Sequence, residues 1–214
     1  MEFLTSFIEI VLHLDVYLDT LVSQYGVLTY GILFAIIFAE TGLVALPFLP
    51  GDSLLFAAGA IAAFGSLDIR LLIPLLLIAA ILGDAVNYWI GHFFGKQLVV
   101  NEKFTLIKQE HIERTQLFYA KHGGKTIILA RFIPIIRTFA PFIAGIGVME
   151  YKRFFFYNVV GALLWILLLT LAGYFFGNLP FVRNNFHYVV LAIIGLSLVP
   201  VVFEFLQSKK AVRN

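Results

Sequence analysis

The 214-residue chain contains no cysteine, which excludes disulfides, thiolate metal sites and cysteine nucleophiles. Charge is scarce as well. Only 13% of residues are Asp, Glu, Lys or Arg, against about 25% in a soluble domain, so little of this surface can face water. Lysine and arginine are missing altogether before Arg70. The formal charge of +2 is too small to hold a nucleic acid. Nothing before Asp19 reads as a cleavable signal, since that stretch lacks Lys, Arg and a small-residue cleavage site. What fills the chain instead is apolar: 61% of it is hydrophobic and the mean hydropathy is +0.94. An all-α polytopic membrane protein is expected, as one membrane domain spanning residues 1–214.

Crossing the hydrocarbon takes about 20 mostly apolar residues. Three segments meet that requirement: Leu71 to Phe94, Phe154 to Phe176, and Tyr188 to Leu206. Trp89 and Trp165 lie in or near them, at places compatible with interfacial belts. Two further apolar stretches are interrupted. Residues 27–64 are broken between Glu40 and Asp52, with Pro47, Pro50 and Gly51 in the break. Residues 126–148 are broken between Arg131 and Pro141, with Pro134 inside and Gly145 following. Proline removes a backbone donor and disrupts a helix. Each half is too short to cross alone, so each stretch is expected to form a re-entrant helical hairpin. Such backbone is tolerated at depth only when buried in protein or lining a polar cavity.

The ends and the middle read differently. Glu2, Ser6, Glu9 and His13 fall at helical spacing opposite Phe3, Leu4, Phe7, Ile10, Val11 and Leu14. This predicts an interfacial amphipathic helix over residues 1–20, ended by Asp15 and Asp19. Residues 96–125 hold much of the polar sequence and form a connector. The last crossing helix is expected over 187–207.

The two halves resemble each other. Glu40 and Pro50 are ten apart, as are Arg131 and Pro141; Gly91-His-Phe-Phe-Gly95 closes one half and Gly173-Tyr-Phe-Phe-Gly177 the other. Residues 27–95 and 126–177 therefore read as two repeats, each a hairpin followed by a crossing helix. A hairpin returns to its own side and the next helix crosses once, so the second repeat starts on the opposite face and is inverted. Many secondary transporters are built this way, with their sites between the repeats. Lys96, Lys103, Lys108, Arg114, Lys121 and Lys125 place the connector in the cytoplasm, together with the tail bearing Lys209, Lys210 and Arg213. The N-terminus and first hairpin then face outward.

Glu40, Asp52, Arg131 and Arg137 all lie in the hairpins, where an ionisable group defaults to function. The acids are on one hairpin and the bases on the other. They could form a salt-bridge cluster that pins the hairpins together. Alternatively, Arg131 and Arg137 converge on one anion, and guanidinium forks suit phosphate. Asp84 and Asn87, one turn apart in the first crossing, are secondary candidates, read as interhelical hydrogen-bonding groups ahead of a proton path. The glycines at 91, 95, 173 and 177 read as close-packing positions. None of the five histidines has a metal-ligand partner at useful spacing, and no metal or other cofactor is expected. His122-Gly-Gly-Lys-Thr126 is not a phosphate loop, since Tyr119 stands where such a motif needs glycine. No nucleophile-elbow or metalloprotease motif is present, and an enzyme is not expected.

Glu40-Thr-Gly, Phe48-Leu-Pro-Gly-Asp52-Ser, Gly83-Asp-Ala-Val-Asn-Tyr88, Lys121-His-Gly-Gly-Lys-Thr-Ile-Ile-Leu-Ala-Arg131, Phe132-Ile-Pro-Ile-Ile-Arg137-Thr and Ala144-Gly145 together resemble the DedA family, in the VTT-domain superfamily. The resemblance runs from about Leu12 to Lys210. The family's acidic pair falls on Glu40 and Asp52 and its arginines on Arg131 and Arg137. It implies lipid translocation in the bacterial inner membrane: return of undecaprenyl phosphate to the cytoplasmic leaflet, driven by protons. Arg131 and Arg137 would bind the substrate, and Glu40 and Asp52 would couple it to protons. Other members imply a phosphatidylethanolamine flippase or scramblase. A proton-coupled exporter of small cations and a non-transporting scaffold for envelope assembly are the remaining alternatives. The implied partners are an anionic lipid, protons and the membrane, and a homo-oligomer is compatible with them.

Overall fold

A computed structural model describes residues 14–43, 51–100, 109–193 and 195. Among these every regular element is helical. Helix α1 is Leu14–Tyr25, α2 Leu28–Gly42, α3 Gly51–Ala63, α4 Ile69–Val100 and α5 Gln109–His122. A 3₁₀ turn, Gly123–Lys125, leads into α6, Thr126–Ala130. Helix α7 is Pro134–Ile143 and runs into a π turn, Ala144–Val148. Then come α8, Tyr151–Phe176, α9, Pro180–Asn184, and α10 over residues 186–193.

Among the described residues two helices, over Ile69–Gly95 and Tyr151–Phe176, are long and apolar enough to cross a bilayer. At 1.5 Å per residue, α8 is about 39 Å long and exceeds the roughly 30 Å hydrocarbon core. Helices α2 and α3 reach only about 22 and 20 Å, and each falls short of it. The expected third crossing lies outside the described residues beyond 195, as do Pro47, Pro50 and residues 1–13.

Several boundaries differ from the sequence reading. Asp15 and Asp19 do not end the first helix: α1 runs through both to Tyr25, because Leu18 is buried and Leu21 and Val22 are half-buried along its length. The stop is Gly26, whose φ of 52° is left-handed and whose N–H donates to the Val22 carbonyl. The break in the second interrupted stretch falls at residues 131–133. Pro134 does not interrupt a helix but begins one, at a position where its missing N–H is harmless. Its effect falls on Ile133, held extended at φ −126° and ψ 102°. Pro141 is not a break either. It sits inside α7, and the backbone passes on into the π turn.

The chain divides into two compact units, each assembled from separate segments: Met1–Phe34, Pro50–Leu76 and Ile166–Asn214 in one, Ala35–Leu49 and Leu77–Trp165 in the other. In the first, α1 packs on α3, and Phe56 meets Phe186 with ring centroids 6.1 Å apart. In the second, α5 packs on α7, and Tyr119 donates its hydroxyl hydrogen to the Ala140 carbonyl at 2.9 Å. Burial, and next the charge of Asp84, push ionisation of Tyr119 well above the usual phenol range, so it stays a donor. Tyr88 donates likewise to the Met149 carbonyl at 2.8 Å. Ile136, Phe139, Phe142 and Phe154 fill the space between.

Each unit contains the same glycine contact. A methyl on Gly173 would strike the Phe56 carbonyl, and one on Gly59 the Thr170 carbonyl. In the other unit a methyl on Gly91 would strike the Phe142 carbonyl, and one on Gly145 the Tyr88 carbonyl. Phe56-Ala-Ala-Gly59 thus plays the part of Phe142-Ile-Ala-Gly145, and small residues let helix backbones meet. This sets Phe56 against Phe142 and so Gly51 against Arg137. Pairing Pro50 with Pro141 is off by five residues, and the matching spacings of Glu40–Pro50 and Arg131–Pro141 do not mark equivalent positions. Gly145 is a packing residue in this contact.

Candidate functional site

Helix α4 presents Asp84, Asn87 and Tyr88 on one face, spaced three and four residues apart. Helix α8 presents Asn158, Gly161 and Trp165 at i, i+3 and i+7, again on one face. Glu40 lies near the C-terminal end of α2. Arg131 and Arg137 come from the break before α7 and its first turns. All belong to the second compact unit, and all are buried beneath the surface.

Arg131 is 2% exposed. Its Nη2 donates at 2.6 Å to Asp84 Oδ2 and at 2.6 Å to Asn158 Oδ1. Asn158 in turn donates from Nδ2 to the Ile81 carbonyl at 3.0 Å, which fixes its amide orientation. Gly161 gives the arginine room: a methyl there would stand 3.1 Å from Arg131 Cδ and Nε. A guanidinium carries five N–H donors. Nε and Nη1 of Arg131 and Oδ1 of Asp84 are buried with no hydrogen-bond partner among the described residues.

Arg137 pairs with Glu40, and its Nη1 also reaches the Arg131 carbonyl at 3.4 Å. Its Cζ lies over the Trp165 ring, 4.3 Å from the centroid, and the Cζ of Arg131 lies 5.7 Å from the same ring. One indole therefore faces two cations, a favourable contact when water is excluded. Asn87 secures the backbone beside each member of the Glu40–Arg137 pair. Its Nδ2 donates to the Thr41 carbonyl at 3.1 Å and to the Thr138 carbonyl at 2.9 Å. Helix α2 approaches α4 closely at Gly42 and Gly83, and Thr41 bonds back to the Ile37 carbonyl at 2.9 Å. The result is two ion pairs with a formal charge of zero, out of water.

Three of the four leading residues, Glu40, Arg131 and Arg137, thus gather in one place. The fourth, Asp52, stands in the first turn of α3, in the other compact unit, where its charge suits the helix N-terminus. Glu40 pairs with Arg137 and not with Arg131. Asp84, a secondary candidate, is the ion-pair partner of Arg131. Asn87 makes the interhelical hydrogen bonds expected of it. Sequence reasoning missed Asn158 altogether and placed Trp165 at an interface. Trp165 is in fact 0% exposed, and its position in the middle of a 26-residue helix is the signal that should have ruled out a belt.

A chain with these spans and a buried set of paired charges has the build of a membrane protein. The VTT domain model matches residues 49–175. Protein DedA of Escherichia coli K12 is 53% identical over 213 residues, covering 99% of this chain and 97% of that protein. An uncharacterized membrane protein of Mycobacterium tuberculosis H37Rv is 42% identical over 181 residues, 84% of this chain and 79% of that one. Inner membrane protein YqjA of E. coli K12 is 37% identical over 182 residues, 84% and 81% of the two chains. No solved structure matches. The chain belongs to the DedA family of membrane proteins.

Proposed function

We propose that this protein carries a phosphate-headed lipid across the bacterial inner membrane, with undecaprenyl phosphate as the substrate returned to the cytoplasmic leaflet. The observation that carries this reading is Arg131: a fully buried guanidinium whose Nε and Nη1 have no acceptor among the described residues. Leaving buried donors unmet is costly. A phosphate oxygen supplies what they lack, through charge-assisted bonds. Arg137, held over Trp165, adds a second positive charge nearby. The polyprenyl tail stays in the hydrocarbon.

In this proposal the broken stretches are re-entrant hairpins, since α2 and α3 are each too short to cross. The repeats are inverted, and the connector and C-terminus are cytoplasmic. Carrying one negative charge inward opposes an inside-negative potential by about 2.3 kcal/mol per 100 mV. Moving a proton with each phosphate cancels that opposition. The carboxylates beside the arginines, Glu40 among them, are the groups that would take it; Asp52 remains a candidate through its own unit. A cation exporter fits less well, because Glu40 and Asp84 are already neutralised by arginines.

Titration of the detergent-purified protein with undecaprenyl phosphate, phosphatidylethanolamine and a small organic cation tests the reading. Saturable binding of the phosphate lipids, lost in Arg131→Ala, is the expected result. Preference between the two lipids separates the carrier-lipid flippase from a phospholipid flippase or scramblase. Binding of the cation alone would overturn the reading in favour of the exporter, and no binding at all would leave the scaffold.

A further inference from the structure

The two ion pairs differ in how completely they are held. Glu40–Arg137 is fixed from several sides: Trp165 under the guanidinium, the Arg131 carbonyl at its Nη1, and Asn87 on the adjoining backbones. Asp84–Arg131 is joined through one nitrogen and one oxygen. Asp84 Oδ1, Arg131 Nε and Arg131 Nη1 are left without partners among the described residues, although both side chains are at least 97% buried. Two buried ions so incompletely matched are costly to keep together. Removing the charge of Asp84 would free Arg131 for a better acceptor.

We infer that Asp84 is the carboxylate that competes with the substrate phosphate for Arg131, and that one proton taken up by Asp84 accompanies each phosphate bound. The inference rests on the proposed phosphate site. Asp84 does not touch the substrate; it acts through Arg131 as a positioning residue. The step balances. Asp84 gains a proton from water and becomes a neutral acid. Its ion pair opens, and Arg131 then pairs with one phosphate negative charge, so the site stays neutral throughout. The groups facing Asp84 agree with this assignment. Arg131 comes from the break before α7, Arg137 from α7, Tyr119 from α5 and the uncharged Asn158 from α8. Glu40 on α2 is taken up by Arg137. With Arg131 drawn away by phosphate, Asp84 loses its ion-pair partner, and Arg137, which also faces it, is paired with Glu40.

The experiment is calorimetric binding of dihexanoyl phosphatidylglycerol to the full-length protein in detergent. The charge of this phosphodiester does not change over the range used. Runs at a series of pH values, in buffers of different ionisation enthalpy, count the protons taken up. Wild type is expected to take up about one proton per lipid, with affinity falling about tenfold per pH unit above the titration of Asp84. Asp84→Asn keeps a hydrogen-bonding side chain and should bind with no proton uptake and a flat pH profile, while Glu40→Gln and Asp84→Glu keep the slope. Lipid binding without proton uptake in wild type would overturn the inference and leave the phosphate site standing. Proton uptake that persists in Asp84→Asn, or that disappears in Glu40→Gln, would overturn it as well. No binding by wild type at any pH would overturn the phosphate site itself, and the inference with it.

Discussion

Asn87 shows how one amide can set the geometry of two charges it never touches. Its two donated bonds hold the carbonyls next after Glu40 and Arg137, and both carbonyls are buried with it. Asn87→Ala removes both bonds, at about 0.5–1.5 kcal/mol each. A clear drop in the thermal unfolding temperature of the purified protein is expected, larger than for a substitution at exposed Leu71. The observed pairing decides which charge swap should work. Glu40→Arg combined with Arg137→Glu should recover part of the stability lost in either single variant, where breaking a buried pair costs about 3–5 kcal/mol. Glu40→Arg combined with Arg131→Glu should recover none. Thermal unfolding of the three single and two double variants checks this, and recovery by the second pair alone would contradict the pairing described here.

At the scale of elements, helix contacts are set by glycines whose neighbours are backbone carbonyls. At Gly91 or Gly59 a methyl meets the main chain of the facing helix, which cannot swing aside. Gly91→Ala and Gly59→Ala should each cost about 1–3 kcal/mol. Gly31, also helical but open around its Cα, should gain about 0.5–1 kcal/mol on the same change. Unfolding curves of the three variants decide it. Gly91 was visible in the sequence as one member of a Gly-x-x-x-Gly end, but its partner was not, and Gly59 was not singled out. The repeat register inferred from Glu40–Pro50 and Arg131–Pro141 rested on spacings alone, whereas packing aligns Phe56 with Phe142. The charged residues of the broken stretches stood out because ionisable groups are rare in such company. Asp84 and Asn158 were harder to weigh. Helical spacing shows which face a residue occupies, and it cannot show that an arginine from a distant break lies across from it. Pro141 was misread for a similar reason: proline lacks a donor wherever it stands, but here the helix accommodates the loss and opens into a π turn only afterwards.

For the whole molecule, hydropathy alone made the membrane class legible, and the family comparison agrees with it. The disposition across the bilayer rests on the lysine and arginine distribution and is open to direct test. Because the chain has no native cysteine, single introduced cysteines report cleanly. Ser66, exposed between α3 and α4, and Lys121, exposed near the end of α5, fall on opposite sides of the proposed topology. In intact cells Ser66→Cys should react with an impermeant maleimide, and Lys121→Cys only after permeabilisation. The reverse pattern would invert the orientation, and labelling of both from outside would refute the hairpin scheme.

The central claim is that a buried arginine set moves a phosphate-headed lipid. The measurement that tests it most directly is translocation of undecaprenyl phosphate by the purified protein in liposomes, with and without an inward proton gradient, using an impermeant reagent to count head groups left outside. The expected result is gradient-dependent loss of outer head groups in wild type and none in Arg131→Ala. Equal translocation by wild type and Arg131→Ala, or no translocation of this lipid under either condition, would contradict the claim.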